Sequence, residues 1–280
     1  MKLSAELQRA LINNVHEALL EDIGTGDISA MLIPEAQQSQ ASIITRESML
    51  LCGLPWVHEC FRQLDPQLRV EPLHRDGTWV EAGSVLVRFS GSARILLSGE
   101  RTALNFLQLL SGTATTVYQT LPALSGTHTR LLDTRKTIPG LRQAQKYAVR
   151  CAGGSNHRMG LFDAFLIKEN HIMAAGGILA AVSQARIIAP GKPVEVEVET
   201  LNELEQALMA RADIIMLDNF NLEDMRTAVG LTAGRALLEA SGGLGLSDLQ
   251  AVACTGVDYI SMGSLTKHVK AIDLSMRLHA

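Results

Sequence analysis

The feature that most constrains the fold is a regular alternation of two hydrophobic periods between residues 130 and 262. Short apolar runs typical of buried strands alternate there with longer runs of helical spacing. Strands joined through helices lie parallel in one sheet, because such a crossover returns the chain to the same end of the sheet. The predicted strands are 130–133, 165–168, 194–198, 214–217, 237–239 and 259–262. The predicted helices are 141–151, 175–189, 201–210, 222–231 and 247–254.

Polar residues or glycines follow every predicted strand at its carboxyl end. An open doubly wound sheet collects such groups at one switch point, whereas a barrel brings all its strand ends to one mouth. Because every strand contributes here, we expect an α/β barrel, complete or incomplete. The groups are Asp133-Thr134-Arg135-Lys136, Lys168-Glu169-Asn170-His171, Glu197 with Glu199, Asp218-Asn219, Ser241-Gly242-Gly243 and Gly263-Ser264.

The first part of the chain has a different pattern. Its predicted elements are helices at 3–20 and 55–64 and strands at 41–45, 68–71 and 84–89. Residues 94–124 have helical spacing, and Ser111-Gly112-Thr113 predicts a break between two helices. We therefore expect an N-terminal α+β sandwich domain at residues 1–105 and the barrel at 106–269, with residues 270–280 packing back on the first domain.

The charge of the chain is unevenly distributed. There are 25 Lys and Arg residues against 29 Asp and Glu, a net charge of −4. Residues 130–171 contain eight basic and three acidic side chains, so this stretch carries +5 and the remainder −9. The negative remainder argues against a general nucleic-acid binder, which needs excess positive charge to displace counterions. The local excess of cations indicates an anionic small-molecule ligand.

Cysteine usage and hydropathy indicate the compartment. The four cysteines have no CxxC or Cys/His metal spacing, and sparse thiols of this kind fit a reducing compartment. The first six residues lack the apolar segment of a signal peptide, and the longest apolar run, 172–182, is short and glycine-rich. We expect a cytoplasmic protein.

Two glycine-bearing segments after the last predicted strands suit a phosphate group. In Ser241-Gly242-Gly243-Leu244-Gly245 the glycines let backbone N–H groups approach an anion, and the following helix presents its positive end. Barrels often bind phosphate after their last strands with a second loop nearby, and Gly263-Ser264-Leu265-Thr266 has that position. The alternative is a pair of helix-entry turns whose glycines serve steric needs only.

Basic side chains form the other side of the predicted mouth. They would repel one another in an empty site, so a multiply charged anion is their natural counterpart. By contrast, Arg142, Lys146 and Arg150 are spaced by four on one helix and are interpreted as a solvated face. The cations at or near strand ends are Arg135, Lys136, Arg158 and Lys168, with His157 beside Arg158.

Two carboxylates, Glu197 and Asp218, end different predicted strands and are expected to meet across the mouth. Carboxylates there can hold ribose hydroxyls, hold a metal ion or stabilise a cationic transition state. A glycosidase pair is a further alternative, but that class of enzyme has no need of four cations. His171 and His268 have no ligand partner at a recognisable spacing and are interpreted as structural.

Several ordered motifs together resemble one family. They are ERTALN at 100–105, DTRKTIPGLR at 133–142, KYAV at 146–149, GGSNHRMGL at 153–161, LIKENH at 166–171, LDNF at 217–220 and the loop Glu21-Asp22, Gly24, Gly26-Asp27. With these motifs, which extend over essentially the whole chain, the sequence is similar to the quinolinate phosphoribosyltransferases. These are the carboxylating nicotinate-nucleotide pyrophosphorylases of NAD synthesis.

The resemblance implies an enzyme that joins quinolinate to 5-phosphoribosyl 1-pyrophosphate and releases pyrophosphate and carbon dioxide, giving nicotinate mononucleotide. It implies magnesium carried by the pyrophosphate donor, with no residue of the chain assigned as a metal ligand. It also implies at least a homodimer, in which Arg101 reaches the partner subunit's site. The alternatives are a paralogue of the same scaffold with another acceptor, and a non-catalytic sensor of phosphate ligands.

Roles carried over by position divide the site in two. Glu197 and Asp218 would face the ribose and its metal ion and, with Lys136 and Lys168, are the expected catalytic residues. Either lysine can deliver a proton to the carbanion that decarboxylation leaves. The expected residues at the quinolinate end are Arg101, Thr134, Arg135, Lys136, His157, Arg158 and Lys168.

The resemblance assigns the 5-phosphate of the donor to Ser241-Gly242-Gly243 and Gly263-Ser264, the two glycine-bearing segments. Many members of the family read Leu-Thr-His after the second segment. This chain reads Leu265-Thr266-Lys267-His268 there, so it keeps a cation at the position that departs from the family pattern.

Overall fold

The computed structural model of the chain describes residues 3–279. The helices are α1 (Ala5–Ile23), α2 (Leu54–Leu64), α3 (Ala93–Thr120), α4 (Arg142–Cys151), α5 (Glu169–Ala175), α6 (Ile178–Ile188), α7 (Leu201–Met209), α8 (Leu222–Thr232), α9 (Leu249–Ala253) and α10 (Ser264–Lys267). The strands are β1 (Gln38–Thr45), β2 (Met49–Leu50), β3 (Arg69–Pro72), β4 (Trp79–Val80), β5 (Val85–Ser92), β6 (Arg130–Leu132), β7 (Phe165–Ile167), β8 (Val194–Val198), β9 (Ile214–Asp218), β10 (Leu237–Ser241), β11 (Tyr259–Ser261) and β12 (Leu274–His279).

The chain forms two compact units, each discontinuous in sequence. The first unit contains the residues up to Tyr118, Thr137–Gly153 and the residues from Leu265 onward. The second unit contains Gln119–Lys136 and Gly154–Ser264. The continuous domains expected from the sequence, 1–105 and 106–269, stay predictions.

The first unit is built on an antiparallel sheet in the order β12-β1-β5-β3. Strand β1 is hydrogen-bonded to β5 on one side and to the C-terminal strand β12 on the other. Helix α1 begins after Ser4, whose hydroxyl accepts the Leu7 N–H at 3.2 Å. The helix buries one apolar stripe, as its spacing predicts. The stripe consists of Leu7, Leu11, Val15 and Leu19.

Helix α3 is continuous, so the predicted break at Ser111-Gly112-Thr113 is wrong. The small residues at this place serve packing. The Ser111 hydroxyl donates to the Cys52 carbonyl and accepts the Cys52 N–H, both at 3.0 Å. A Cβ on Gly112 would lie 2.1 Å from the carbonyl oxygen of Lys270. Glycine is therefore required here for close approach of the C-terminal segment, not for helix termination.

Replacing Gly112 with alanine should destabilise the chain by about 1–3 kcal/mol, because the added methyl group overlaps a backbone oxygen that no side-chain rotation can move. Urea-induced unfolding measures the loss. Gly230→Ala is the matched control, since this helical glycine has no atom within 4 Å of an added Cβ. The control should stabilise the chain by up to about 1 kcal/mol. Equal effects of the two substitutions would contradict the packing role of Gly112.

Helix α4 does not present a solvated basic face, which corrects the interpretation of Arg142, Lys146 and Arg150. Arg150 is exposed, but the Lys146 side chain is fully buried. The helix packs against α1, and its Tyr147 ring centroid lies 5.5 Å from that of Trp56 on α2. Spacing by four indicates that cations share one helix face, but it does not indicate whether another element covers that face.

The second unit contains a parallel sheet in the order β6-β11-β10-β9-β8-β7. Within residues 3–279 no strand pairing joins the edge strands β6 and β7, so the sheet does not close. It is nevertheless strongly curved. Glu195 of β8 and Glu239 of β10 are separated by β9, yet both carboxylates reach the His157 ring. The expected α/β barrel is confirmed, in its incomplete form.

The predicted helix at 175–189 is present as α6, which begins three residues later than predicted. Helix α5 ends at Ala175 and α6 begins at Ile178, because Gly176 and Gly177 have φ angles of +83° and +122°. Over the part of the chain that the structure describes, no single helix is long and apolar enough to cross a membrane. Helices α5 and α6 have the necessary length and hydropathy only when taken together, and an 88° bend separates them.

Candidate active site

The carboxyl ends of β7 to β10 place four predicted site residues on one face of the sheet. Strand pairing aligns Glu197 with Met216 and Ser241 with Asp218, and Lys168 follows β7 at the level of Glu197. Residues that are aligned across parallel strands, or two apart along one strand, point to the same face. The residues that share this face are Lys168, Glu197, Asp218 and Ser241.

Lys168 and Glu197 form an ion pair between Nζ and Oε2. The Lys168 side chain is 47% exposed and that of Glu197 is 16% exposed. The backbone N–H of Lys168 donates to His171 Nδ1 at 3.1 Å, so His171 has a structural contact, as expected. The pair presents a cation and an anion side by side at the open end of the strands.

The segment after β6 is held in place by Asp133, a residue to which sequence reasoning gave no role. Its buried carboxylate accepts the His157 N–H at 3.0 Å and a hydrogen bond from the Asn156 side-chain amide. Ser155 adds a parallel bridge to β6. These contacts fix the loop that carries Arg158.

Arg158 lies within electrostatic range of a second guanidinium, that of Arg135. Its Nη1 donates to the Ala164 carbonyl at 3.3 Å, and the loop beyond it is shaped by Asp163, which accepts the Gly160 N–H at 2.9 Å. Burial, followed by the positive charge of Arg135, lowers the pKa of Arg158. Two arginines placed so that one disfavours the charge of the other form a site that an anion would stabilise.

The His157 ring is turned toward two carboxylates that the sequence reasoning missed. Its Nε2 lies 3.0 Å from Glu195 Oε2 and 3.4 Å from Glu239 Oε2. Its Nδ1 accepts the Arg158 N–H at 2.7 Å. Burial, followed by the negative charge of Glu195, raises the pKa of Glu239 to about 8. The substrate-binding role of His157 stays a prediction.

A signal for Glu195 was present in the sequence. The run Val-Glu-Val-Glu-Val over β8 places Glu195 between two buried valines of a strand, where a carboxylate requires a partner. The ligand atoms of His157, Glu195 and Glu239 lie within 4.8 Å of one another. Such a group can share a proton or hold a cation.

Asn219 links two of the predicted site segments and was also missed. It has a left-handed φ of 56°, its Nδ2 donates to Asp218 Oδ2 at 2.8 Å, and its N–H donates to the Ser241 carbonyl at 3.1 Å. A Cβ on Gly242 would lie 2.2 Å from Asn219 Oδ1. The Asp218 carboxylate and the first glycine-bearing segment are therefore held in one arrangement by one side chain.

The first glycine-bearing segment has two glycines with positive φ angles, +104° at Gly242 and +54° at Gly243. The next helix, α9, begins only at Leu249. This lies within the predicted helix at 247–254, so a helix does follow the segment, after an intervening loop. An anion at this segment would be bound by backbone N–H groups of the loop itself.

The second glycine-bearing segment contacts the loop after β6. A Cβ on Gly263 would lie 2.6 Å from Lys136 Cδ and 3.5 Å from Thr134 Oγ1. Thr134 Oγ1 in turn accepts the Lys136 N–H at 3.0 Å. Next to Gly263, Ser264 is half-buried at the start of α10. The predicted phosphate segment and a predicted catalytic lysine are thus brought together.

Arg101 lies on α3 in the first unit, and its side chain is exposed. All other predicted site residues belong to the second unit. Their individual roles stay predictions.

Models of one protein family match almost the whole chain. The quinolinate phosphoribosyl transferase N-terminal domain matches residues 25–111, and the C-terminal domain of the same family matches residues 113–277.

Individual relatives agree with the family models. A probable nicotinate-nucleotide pyrophosphorylase (carboxylating) from Bacillus subtilis is 43% identical over 92% of this chain and 89% of its own length. The corresponding protein of Mycobacterium leprae is 39% identical over 95% of this chain and 96% of its own length. The solved structure of the nicotinate-nucleotide pyrophosphorylase from Francisella tularensis is 50% identical, with a TM-score of 0.95 over 99% of this chain and 98% of that one. The chain belongs to the quinolinate phosphoribosyl transferase family.

Proposed function

We propose that this chain transfers the phosphoribosyl group of 5-phosphoribosyl 1-pyrophosphate to quinolinate. The products are nicotinate mononucleotide, pyrophosphate and carbon dioxide, and the reaction serves de novo NAD synthesis. Support comes from the family membership and from the names of relatives that match over nine-tenths of the chain.

The observation that carries the choice of acceptor is the electrostatic effect of one guanidinium on another. Burial, followed by the charge of Arg135, lowers the pKa of the half-buried Arg158, and an anion bound to both guanidiniums would favour their charged forms. Quinolinate has two adjacent carboxylates and can engage two cations, whereas nicotinate has one. A dicarboxylate therefore suits this end of the site better than a monocarboxylate.

The remaining predicted residues complete the acceptor end. Lys136 and Lys168 supply further positive charge, and Thr134 holds the loop through the Lys136 N–H. His157 lies beside Arg158 with both ring nitrogens engaged. Their common effect is to orient the ring nitrogen of quinolinate toward the anomeric carbon of the donor.

Glu197 and Asp218 face the ribose of the donor. As the bond to pyrophosphate breaks, positive charge develops on the ribose, and two carboxylates on neighbouring strands stabilise it. The donor's 5-phosphate is bound by backbone N–H groups of Ser241-Gly242-Gly243 and Gly263-Ser264.

Magnesium enters with the donor, bound by the oxygens of its pyrophosphate, and neutralises part of the charge of that leaving group. The nearby carboxylates are already engaged, Glu197 by Lys168 and Asp218 by Asn219. Because both carboxylates already have partners in the chain, they suit a metal ion carried by the substrate better than one held by the chain.

The chemistry proceeds in two balanced steps. The lone pair of the quinolinate ring nitrogen forms the bond to the anomeric carbon, and the bond to pyrophosphate breaks. The positively charged ring nitrogen then stabilises the electron pair left when the adjacent carboxylate departs as carbon dioxide. A proton from Lys136 or Lys168 is added to that carbon and completes the nicotinate ring.

The test is to supply purified protein with magnesium, the phosphoribosyl donor and either quinolinate or nicotinate, and to measure carbon dioxide and nicotinate mononucleotide. We expect turnover with quinolinate alone. Turnover with nicotinate alone would show a paralogue with another acceptor. Binding of the donor without turnover of either acid would show a phosphate-ligand sensor.

The active form is a homodimer or larger homo-oligomer in which Arg101 of one subunit completes the site of another. The exposed position of Arg101 on α3 supports this arrangement. A cation supplied from a second copy would bind the same acceptor as Arg158.

Arg101→Ala and Arg158→Ala should each raise the KM for quinolinate by about tenfold or more, because a charge-assisted hydrogen bond to a carboxylate is lost. The KM of the phosphoribosyl donor should stay nearly unchanged. Mixing the two variants should restore up to roughly a quarter of wild-type activity, since half of the sites in a mixed dimer are intact. Equal loss of affinity for both substrates, or no recovery on mixing, would contradict the division of the site.

A further inference from the structure

We propose that Glu195 and Glu239 are positioning residues. They form a buried carboxylate pair that holds the His157 ring, and through it the backbone at Arg158, in the geometry that receives the acceptor's carboxylates. The inference rests on the proposed function, because it concerns the acceptor end of the same site.

The ring of His157 is fixed from both sides. Its Nδ1 accepts the Arg158 N–H at 2.7 Å, so this nitrogen carries no proton. The proton of the neutral ring is therefore on Nε2, which donates to Glu195 Oε2 at 3.0 Å. Because the backbone N–H of Arg158 can only donate, it sets the direction of both hydrogen bonds of the ring. If either bond were reversed, the other would be lost.

The two carboxylates hold a proton between them. Glu195 Oε1 and both oxygens of Glu239 are buried, and the hydroxyl that faces Glu239 is that of Ser261. Two ionised carboxylates side by side in the interior would be unsolvated and would repel each other. Burial and the charge of Glu195 accordingly raise the pKa of Glu239 to about 8. Glu239 is thus the protonated partner of the pair, and Glu195 Oε2 accepts from His157 Nε2.

The groups around Glu195 and Glu239 link the pair to the end of the site that binds the acceptor. Strand β9, between the two glutamates, contributes the apolar side chain of Met216. The Arg158 charge is in turn disfavoured by Arg135 and favoured by Glu195 and then Asp163. The titratable, charged and hydroxyl groups that face the pair are His157 and Arg158 from the loop after β6 and Ser261 from β11.

Glu195→Ala removes the acceptor of the Nε2–H bond. It should raise the KM for quinolinate by about tenfold or more and change the KM of the donor by less than about twofold. Glu195→Gln keeps an oxygen that accepts from Nε2 and should recover most of the affinity for quinolinate. Asp258→Ala is the matched control, because Asp258 Oδ2 accepts the Leu238 N–H at 2.8 Å and so contacts the strand of Glu239 through its backbone only. The control should lower the unfolding temperature and leave both KM values unchanged.

Glu239→Gln imitates the protonated acid. In the wild type the KM for quinolinate should rise as the pH passes about 8, where Glu239 loses its proton. Stability should also fall as the pH rises from about 5 toward 8 and level off above that, because over this range the folded chain holds a proton on Glu239 that the unfolded chain has released. Both changes should be absent in Glu239→Gln, with near-wild-type KM at pH 7.

Nitrogen-15 NMR of the His157 ring tests the positioning without substrate. The wild type should show one tautomer, protonated at Nε2, and Glu195→Ala should lose it. The proposal is overturned if the tautomer is unchanged in Glu195→Ala, if both KM values rise equally, or if Glu239→Gln keeps the wild-type pH profile. Should Glu195→Ala not fold, the two glutamine variants decide the question. A wild type that does not turn over quinolinate refutes the proposed function, while the NMR result still decides the positioning.

Discussion

Replacing Lys168 with alanine should lower kcat for the quinolinate reaction by about 10²–10³-fold, the effect expected when one fixed charge is removed from a transition state. Lys168 is held at the end of β7 by its ion pair with Glu197 and by the contact of its N–H with His171. The fold thus fixes the position of this cation at the strand end. Single-turnover kinetics at saturating donor would measure the chemical step directly.

Two further variants distinguish a specific role of Lys168 from a general loss of positive charge. Lys192→Ala removes an exposed lysine between α6 and β8 and should leave kcat nearly unchanged. The double variant Lys168→Ala/Glu197→Gln should be no slower than the slower single variant, because the two side chains act as one pair. A Lys168→Ala variant as active as Lys192→Ala would contradict the role, and multiplied losses in the double variant would contradict the coupling.

The parallel sheet could be predicted from the sequence because its strands are mostly buried and form short apolar runs between helical segments. The run Ile-Ile-Met-Leu located β9 to within one residue, and the three valines of Val-Glu-Val-Glu-Val located β8. The continuity of α3 could not be predicted. Whether a glycine ends a helix or admits a neighbour depends on a contact with Lys270, more than 150 residues away in the chain. The same applies to Lys146, whose burial depends on the helices that pack on α4.

The same distinction separates the site residues that could be predicted from the sequence from those that could not. Lys168, Glu197 and Asp218 could be located because a parallel sheet delivers its strand ends to one edge, whatever the details of packing. The Glu195–Glu239 pair could not, because it depends on curvature that brings together two strands with a third between them. Asp133 is similar, since its partners lie on a loop that returns after a helix of the first unit. Groups that bind through a strand end are thus more predictable than groups that hold other residues in place.

Replacing Gly242 with alanine should lower kcat/KM for the phosphoribosyl donor by about 10²-fold or more, because a displacement of about 1 Å at a reacting centre has an effect of this size. The added Cβ would lie 2.2 Å from Asn219 Oδ1 and 2.8 Å from Asn219 N. Asn219 must then move, and with it the Asp218 carboxylate that its Nδ2 holds at 2.8 Å. One methyl group therefore disturbs both the predicted phosphate segment and a predicted catalytic residue.

Gly234→Ala separates this collision from backbone strain. Gly234 also has a positive φ, +73°, but no atom lies within 4 Å of an added Cβ. Both substitutions should reduce stability by about 1 kcal/mol through the left-handed backbone, and only Gly242→Ala should lose donor turnover. Equal kcat/KM values in the two variants would show that the donor does not depend on the Asn219 contact. If the two variants unfold at the same temperature but differ greatly in kcat/KM, glycine at position 242 keeps Asn219 and Asp218 in place. Glycine is then required there by the site and not by the conformation of the turn.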